Sequence, residues 1–276
     1  MSKKVAVIGL GKIGCRHLEA LFKSIFSIEL YGIDPQKSSI DIARKSIEDL
    51  PANKYVKSVS ITKELKQLPE ALDLVVIATN SDIRLKILSE LLDHADVNFV
   101  ILEKILFQRK EDLKQGKGIL NKSGSEAWVN CPRRMWPLYK NIKGYFYGKN
   151  KVSYNLSGGN WGIGCNAIHF IDCFEYLTNS RLKEINTKLL DQVIHNSKRK
   201  GFIEFTGILE ASFDNQNSMI LESVDDSMSD PFLITISSED TTISIDENSG
   251  KGEIILQDEP KKEFTFKVPF QSELTN

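Results

Sequence analysis

A chain of 276 residues is long enough to bury a sizeable core and favours two domains over one. Its 36 basic and 37 acidic residues leave a net charge of -1, which offers no electrostatic footprint for nucleic acid or an anionic membrane. No apolar run reaches the roughly 18 residues of a membrane helix, and "MSKKVAVIGLG" moves straight into a strand, so a cytoplasmic protein without a leader is expected. Cys15, Cys131, Cys165 and Cys173 make no Cys-x-x-Cys pair and no metal spacing with the histidines. They are expected to be reduced packing thiols, with no bound metal.

Val5 to Ile8 read as a buried parallel strand, continuous in apolar character. Gly9, Gly11 and Gly14 follow at G-x-G-x-x-G spacing, with Lys12 and Ile13 inside the turn. The three glycines serve different ends. The first makes the turn, the second lets backbone approach a pyrophosphate, and the third lets the helix lie against the strand. The unpaired N-H groups of the helix start favour an anion. The spacing alone would also fit a plain strand-to-helix turn. The context points to a nucleotide site: a helical "IGCRHLEALFKSI" follows, and "IELYGID" ends in Asp34, twenty residues beyond Gly14. A dinucleotide fold needs a carboxylate there for the ribose 2'-hydroxyl.

Further along, strands alternate with helical patterns, as in a doubly wound parallel sheet. A weakly marked strand at Tyr55–Val59 precedes a short helix, "ITKELKQL". "ALDLVVIATN" is a buried strand, and "DIRLKILSELLDH" is an amphipathic helix with Ile83, Ile87, Leu88 and Leu91 on one face. "NFVILEK", a lysine-rich helix and "EAWVNC" complete the unit. Thr79, Asn80, Glu103 and Lys104 then fall at the carboxyl ends of strands, the rim where open α/β sheets bind ligands.

After residue 130 the pattern changes, which divides the chain into 1–130, a dinucleotide-binding domain, and 131–276, an α+β domain for substrate and oligomerisation. "CPRRMWPLYKNIKGYF" reads as a connecting helix. From about Lys183, segments such as "FLITISS", "TTISIDE", "EIILQ" and "EFTFKV" alternate and read as a largely antiparallel open sheet. Within "GGNWGIGCNAIHFIDCFEYLTN" lies a helix apolar on most sides, yet Asn166, His169 and Asp172 stand three apart. Steps of three turn by about 60° each, so they share a stripe about 120° wide. A buried polar stripe needs partners. It is either a satisfied seam against the sheet or the wall of a wet cleft, and the glycines ahead of it, which permit close backbone approach, tilt the reading towards a ligand. Arg133, Arg134, Trp136 and Trp161 suit an anionic or ring-bearing substrate, or packing between domains.

These motifs together resemble the Gfo/Idh/MocA oxidoreductases over nearly the whole length. "GLGKIGCRH", with its trailing His17, is similar to that family's dinucleotide loop, "VVIATN" to the strand before its Thr-Pro turn, "LEKI" to its Glu-Lys-Pro motif and "AIHFID" to its G-x-H-x-x-D helix. The resemblance implies a Rossmann domain followed by an α+β domain whose open sheet makes a homo-oligomer. It implies a nicotinamide cofactor, NAD in preference to NADP, and hydride transfer at a carbinol or carbonyl of a sugar, polyol or nucleotide-sugar. Lys104 and His169 would be the catalytic pair, meeting over the nicotinamide, with Gly9 to Gly14, Asp34, Thr79, Asn80 and Glu103 on the cofactor. Arg134, Trp161, Asn166 and Asp172 would line the substrate.

The departures from that family are specific. Ile105 stands where it has proline, which argues against the cis peptide usual there. Asn80 replaces the proline of the Thr-Pro pair, and Arg84 replaces a histidine in the helix that follows. Cys165 stands for an aspartate four residues before His169, and Ala167 for a glycine. At "VPFQSELTN", where the family begins a helix packing back on the Rossmann domain, a shortened end is expected, with Ser272 as the helix cap. Two rivals follow: a cofactor-binding member that has lost its chemistry and serves as a sensor or assembly subunit, and a reductase of another small carbonyl or imine compound.

Overall fold

The structure is a computed structural model that describes residues 2–197, 201–225 and 232–274. The chain divides into two compact units, Met1–Asn130 with Pro269–Asn276, and Cys131–Val268.

In the first unit the order is β1 (Lys3–Ile8), α1 (Lys12–Phe22), β2 (Ile28–Ile33), α2 (Lys37–Glu48), β3 (Val56–Thr62), β4 (Ala71–Ile77), α3 (Arg84–His94), β5 (Asp96–Leu102), α4 (Lys110–Ser123) and β6 (Glu126–Val129). The six strands form one parallel sheet in the order β3-β2-β1-β4-β5-β6, with Val7 of β1 paired to Gly32 of β2 and to Val76 of β4. Successive residues of a strand point to opposite faces, so β1 feeds two cores. Val5 and Val7 pack with Leu18 and Leu21 of α1, whereas Ala6 and Ile8 join the core of Leu88 and Leu91 of α3. Both faces are covered, which is why these strands read as continuous apolar runs.

Some elements differ from expectation. Ile61 and Thr62 belong to β3, so "ITKELKQL" keeps only a 3-10 turn at Leu65–Gln67. In α3, Leu88 and Leu91 are buried as expected, but Ile83 is exposed and Arg84 takes the inward place. At the end of the described chain, residues 269–274 group with the first unit. There a 3-10 turn at Gln271–Glu273 packs on α1, Ser272 is buried, and Asn130 Nδ2 donates to Gln271 Oε1 at 3.1 Å.

The second unit holds α5 (Pro137–Ile142), β7 (Ser153–Gly159), α6 (Ile163–Thr178), β8 (Leu182–Leu190), β9 (His195–Asn196), β10 (Ile203–Glu204), β11 (Gly207–Phe213), β12 (Ser218–Val224), β13 (Leu233–Ser237), β14 (Thr241–Asp246), β15 (Lys251–Leu256) and β16 (Lys262–Thr265). Eight strands form a sheet ordered β16-β15-β14-β13-β7-β12-β11-β8, antiparallel except at β7–β12, while β9 and β10 pair separately. The helix expected from Cys131 to Phe146 is broken into a 3-10 turn, α5 and a second 3-10 turn. Pro132 and Pro137 each lack an N-H and so begin helical segments rather than continue one.

One face of the large sheet carries α6. Phe174 packs edge-on to Phe213 with ring centroids 4.9 Å apart, and Leu156, Leu221, Ile234 and Ile243 complete the buried layer. The other face mixes Asn155, Ser157 and Glu222 with Leu189, Ile220, Leu233 and Ile255, which are 41–52% exposed. No helix among the described residues is long and apolar enough to cross a membrane.

Candidate functional site

In the first unit the glycine loop joins β1 to α1. Gly9 has φ +89°, and a Cβ there would lie 2.8 Å from the Thr79 nitrogen; a Cβ on Gly14 would lie 1.8 Å from the Gly9 carbonyl oxygen. Both positions exclude any side chain. Gly11 differs: a Cβ there meets nothing within 4 Å, so that glycine leaves open ground above the helix start. Gly11 is also the N-cap of α1 and offers no side-chain cap, and Lys12, Ile13 and Gly14 open the helix with N-H groups that have no intrahelical acceptor. An uncapped helix start with free space over it fits a phosphate.

Asp34 follows β2 and is buried. Its Oδ2 accepts the N-H of Leu10 at 2.8 Å, which ties it to the glycine loop, and its Oδ1 accepts the N-H of Gln36 at 2.9 Å. Each carboxylate oxygen keeps a second lone pair for a ligand hydroxyl. Lys37 opens α2 nearby in sequence and is exposed.

Thr79 and Asn80 follow β4 on the rim. The Thr79 hydroxyl is buried without a hydrogen-bond partner among the described residues, whereas Asn80 is exposed. An orphaned buried hydroxyl beside the glycine loop is a further sign that a polar ligand belongs here. The Lys104–Ile105 peptide is cis, contrary to the expectation drawn from the missing proline. Around it the buried guanidinium of Arg84 donates to the carbonyls of Glu103, at 2.5 Å, of Leu106, at 2.9 Å, and of Ile105 and Thr79.

Glu103, expected on the cofactor, is tied to two side chains of the first unit. Its Oε1 accepts from His17 Nε2 at 2.8 Å and from Asn130 Nδ2 at 2.5 Å. Burial pushes the Glu103 pKa up, but the hydrogen bond and charge of His17, with Asn130 and Arg84, outweigh it and leave the carboxyl below its usual value. A depressed folded-state value stabilises the fold above the unfolded carboxylate pKa of about 4.3 and is lost as pH falls through the folded value. Glu103→Gln is therefore expected to lower the melting temperature at pH 7, and the gap from wild type should narrow steadily below about pH 4. Paired thermal melts from pH 7 to pH 3 check this; a gap that stays constant would show that ionised Glu103 contributes nothing.

In the second unit, α6 carries Asn166, His169 and Asp172 along one stripe, with His169 buried. Several residues expected to meet substrate meet each other. Arg134 Nε donates to Asp172 Oδ2 at 2.8 Å and its Nη2 to Oδ1. The Trp161 indole donates to the Glu222 carbonyl at 2.7 Å and packs edge-on to Phe170 and Phe232. Asn166 Nδ2 donates back to the Trp161 carbonyl at 2.7 Å. Sequence reasoning passes over Glu204, a buried carboxylate on β10 whose Oε2 accepts the N-H of Gly164 at 2.9 Å in the first turn of α6. β10 packs against α6 there, and no local motif announces it. His17 trails the glycine loop in sequence, but its tie to Glu103 spans 86 positions.

No protein-family model matches this chain, and no curated protein matches it. Solved structures do. The UDP-N-acetylglucosamine 3-dehydrogenase GnnA of Acidithiobacillus ferrooxidans superimposes with a TM-score of 0.69 at 12% identity, over 99% of this chain and 86% of that one. The super-repressor mutant of Gal80p from Saccharomyces cerevisiae gives 0.74 at 14%, over 100% and 82%. Biliverdin reductase of Synechocystis, in complex with biliverdin and NADP+, gives 0.71 at 14%, over 98% and 86%. The chain has the fold expected from its resemblance to the Gfo/Idh/MocA oxidoreductases: a parallel Rossmann-type sheet with helices, then a largely antiparallel open sheet.

Proposed function

We propose that this protein is a nicotinamide-dependent oxidoreductase acting at a carbinol or carbonyl of a sugar, polyol or nucleotide-sugar. The observation that carries the reading is the open ground over Gly11, bounded by the uncapped start of α1, by Asp34 and by the orphaned Thr79 hydroxyl. Gly9 to Gly14, with Lys12 and Ile13, would hold the pyrophosphate, Asp34 the adenosine ribose, and Thr79 and Asn80 the nicotinamide half. When bound, the nicotinamide supplies the acceptor or donor of a hydride. In the oxidative direction, His169 takes the proton of the substrate hydroxyl as the C-H hydride departs, and a carbonyl results. Lys104 hydrogen-bonds the same oxygen and stabilises its developing charge. The GnnA neighbour supports the sugar class of substrate. The exposed apolar residues of the open sheet support association of two or more copies through that face.

A single methyl group tests the cofactor site. Gly11→Ala meets no atom of the protein within 4 Å and should leave the melting temperature unchanged, yet it fills the ground assigned to the pyrophosphate. Its affinity for NADH should fall by at least about tenfold, as expected when a steric block removes phosphate contacts. Unchanged NADH binding would sink the cofactor site. The same fluorescence titration compares cofactors. Asp34 accepts from the ribose diol and repels a 2'-phosphate, so NADH should bind more tightly than NADPH; Lys37 works in the other direction, and equal or tighter NADPH binding would overturn the assignment.

Cys165 supports a second reading. It leaves α6 without an acidic side chain at that position, and the fold is shared with a Gal80p super-repressor, so a cofactor-binding protein without turnover remains the rival. Binding of NADH with no turnover on a panel of sugars and nucleotide-sugars favours the rival; turnover removes it.

A further inference from the structure

The cofactor reading assigns the strand ends of the first unit to the nicotinamide half, and the side chain that bonds those ends is Arg84, which stands where the resembled family has a histidine. Arg84 is the first residue of α3 and only 2% exposed. Withdrawing a guanidinium from water is costly unless its N-H groups are met. Here the partners are backbone carbonyls from two separate loops. Nη2 donates to Thr79, just after β4, while Nη1 donates to Glu103, Ile105 and Leu106, just after β5. Lys104 therefore lies between two carbonyls held by one nitrogen. Thr79, whose hydroxyl is buried and unpartnered among the described residues, is held through its carbonyl by the other. A lysine ammonium cannot span both loops as a planar fork does.

We propose that Arg84 is a positioning residue that holds Thr79 and Lys104 in register at the nicotinamide end of the site. The proposal rests on the cofactor reading above, and cofactor fragments separate the two. ADP-ribose lacks the nicotinamide ring, and NADH adds it. In Arg84→Lys, affinity for ADP-ribose should stay within about twofold of wild type, while the advantage of NADH over ADP-ribose should fall by at least about tenfold, the scale of one or two misplaced hydrogen bonds. A merely structural role would weaken both ligands together, and that result overturns the proposal. So does an unchanged NADH advantage, or a wild-type protein that binds both ligands equally. A wild-type protein that binds neither sinks the cofactor reading itself. If Arg84→Lys does not fold by circular dichroism, Arg84→Gln, which keeps an amide donor, takes its place in the same titrations. Should neither fold, Arg84 is a folding requirement and the positioning role is wrong.

Discussion

Lys104→Ala and His169→Ala are each expected to lower turnover by at least about 100-fold, the usual scale for losing a positioned proton acceptor or oxyanion partner. NADH affinity should stay within about twofold in both, because the proposed anchors of the adenosine half are Gly9 to Gly14 and Asp34, which neither substitution touches. Steady-state rates on the sugar or nucleotide-sugar that wild type turns over, with NADH titrations alongside, measure the two effects separately. If the residues act on the same oxygen, the double variant should be little worse than the worse single. Multiplying losses would mean that they serve different steps. Cys165→Asp adds a comparison: in an active enzyme it should disturb the existing rate, and in a lapsed one it should confer some. Parental rates in both alanine variants would remove the catalytic reading of α6 altogether.

The parts of the molecule that are legible in sequence are those fixed over short spans. Three glycines, the strand before them and Asp34 lie within thirty-odd positions, and each has a local steric or hydrogen-bonding cause: Gly14 has a carbonyl where a Cβ would stand, and Asp34 bonds Leu10. The parallel order of the first sheet follows from strands alternating with helices. Partners across long spans are what sequence does not deliver. Glu103 reads as a rim carboxylate, yet it is bound to His17 and Asn130. Arg134 and Asp172 each look available to substrate until the fold pairs them. Arg84 sits among Ile83, Ile87 and Leu88 in a helical pattern, where a cation reads as a surface residue; only the carbonyls of two other loops explain its burial. The broken segment after Cys131 differs from its sequence pattern for another reason. Its apolar spacing is helical, but two prolines set the segment boundaries.

Glu247→Ala is expected to produce the largest loss of stability of any change proposed for the second unit. Arg133 Nε and Nη2 donate to the two oxygens of Glu247, just beyond β14, at 3.0 and 2.7 Å, and Tyr139 of α5 donates its hydroxyl to the same carboxylate at 2.6 Å. The Arg133 and Glu247 side chains are 13% and 7% exposed. The guanidinium also lies 4.1 Å from the centre of the Phe170 ring, next to His169 on α6. Burial pushes the Arg133 pKa down, but the charge and hydrogen bonds of Glu247 outweigh it and hold the guanidinium firmly ionised. Removing Glu247 therefore leaves a buried, unpaired cation, at a cost of about 3–5 kcal/mol. For a unit of this size that is a fall of roughly 10 °C or more in melting temperature. Arg133→Met should cost a similar amount, because the carboxylate is then stranded with only Tyr139. The combined Arg133→Met/Glu247→Leu protein should regain much of the loss, since replacing both members of a buried pair with apolar groups is often close to neutral. Chemical denaturation of the three variants, followed by a signal specific to the second unit, distinguishes the cases. Single losses below about 1 kcal/mol would show that water reaches the pair and that it behaves as a surface ion pair. A double variant as unstable as the sum of the singles would instead assign the cost to lost packing on Phe170 and Trp136, and the network would then secure α6 by shape rather than by charge.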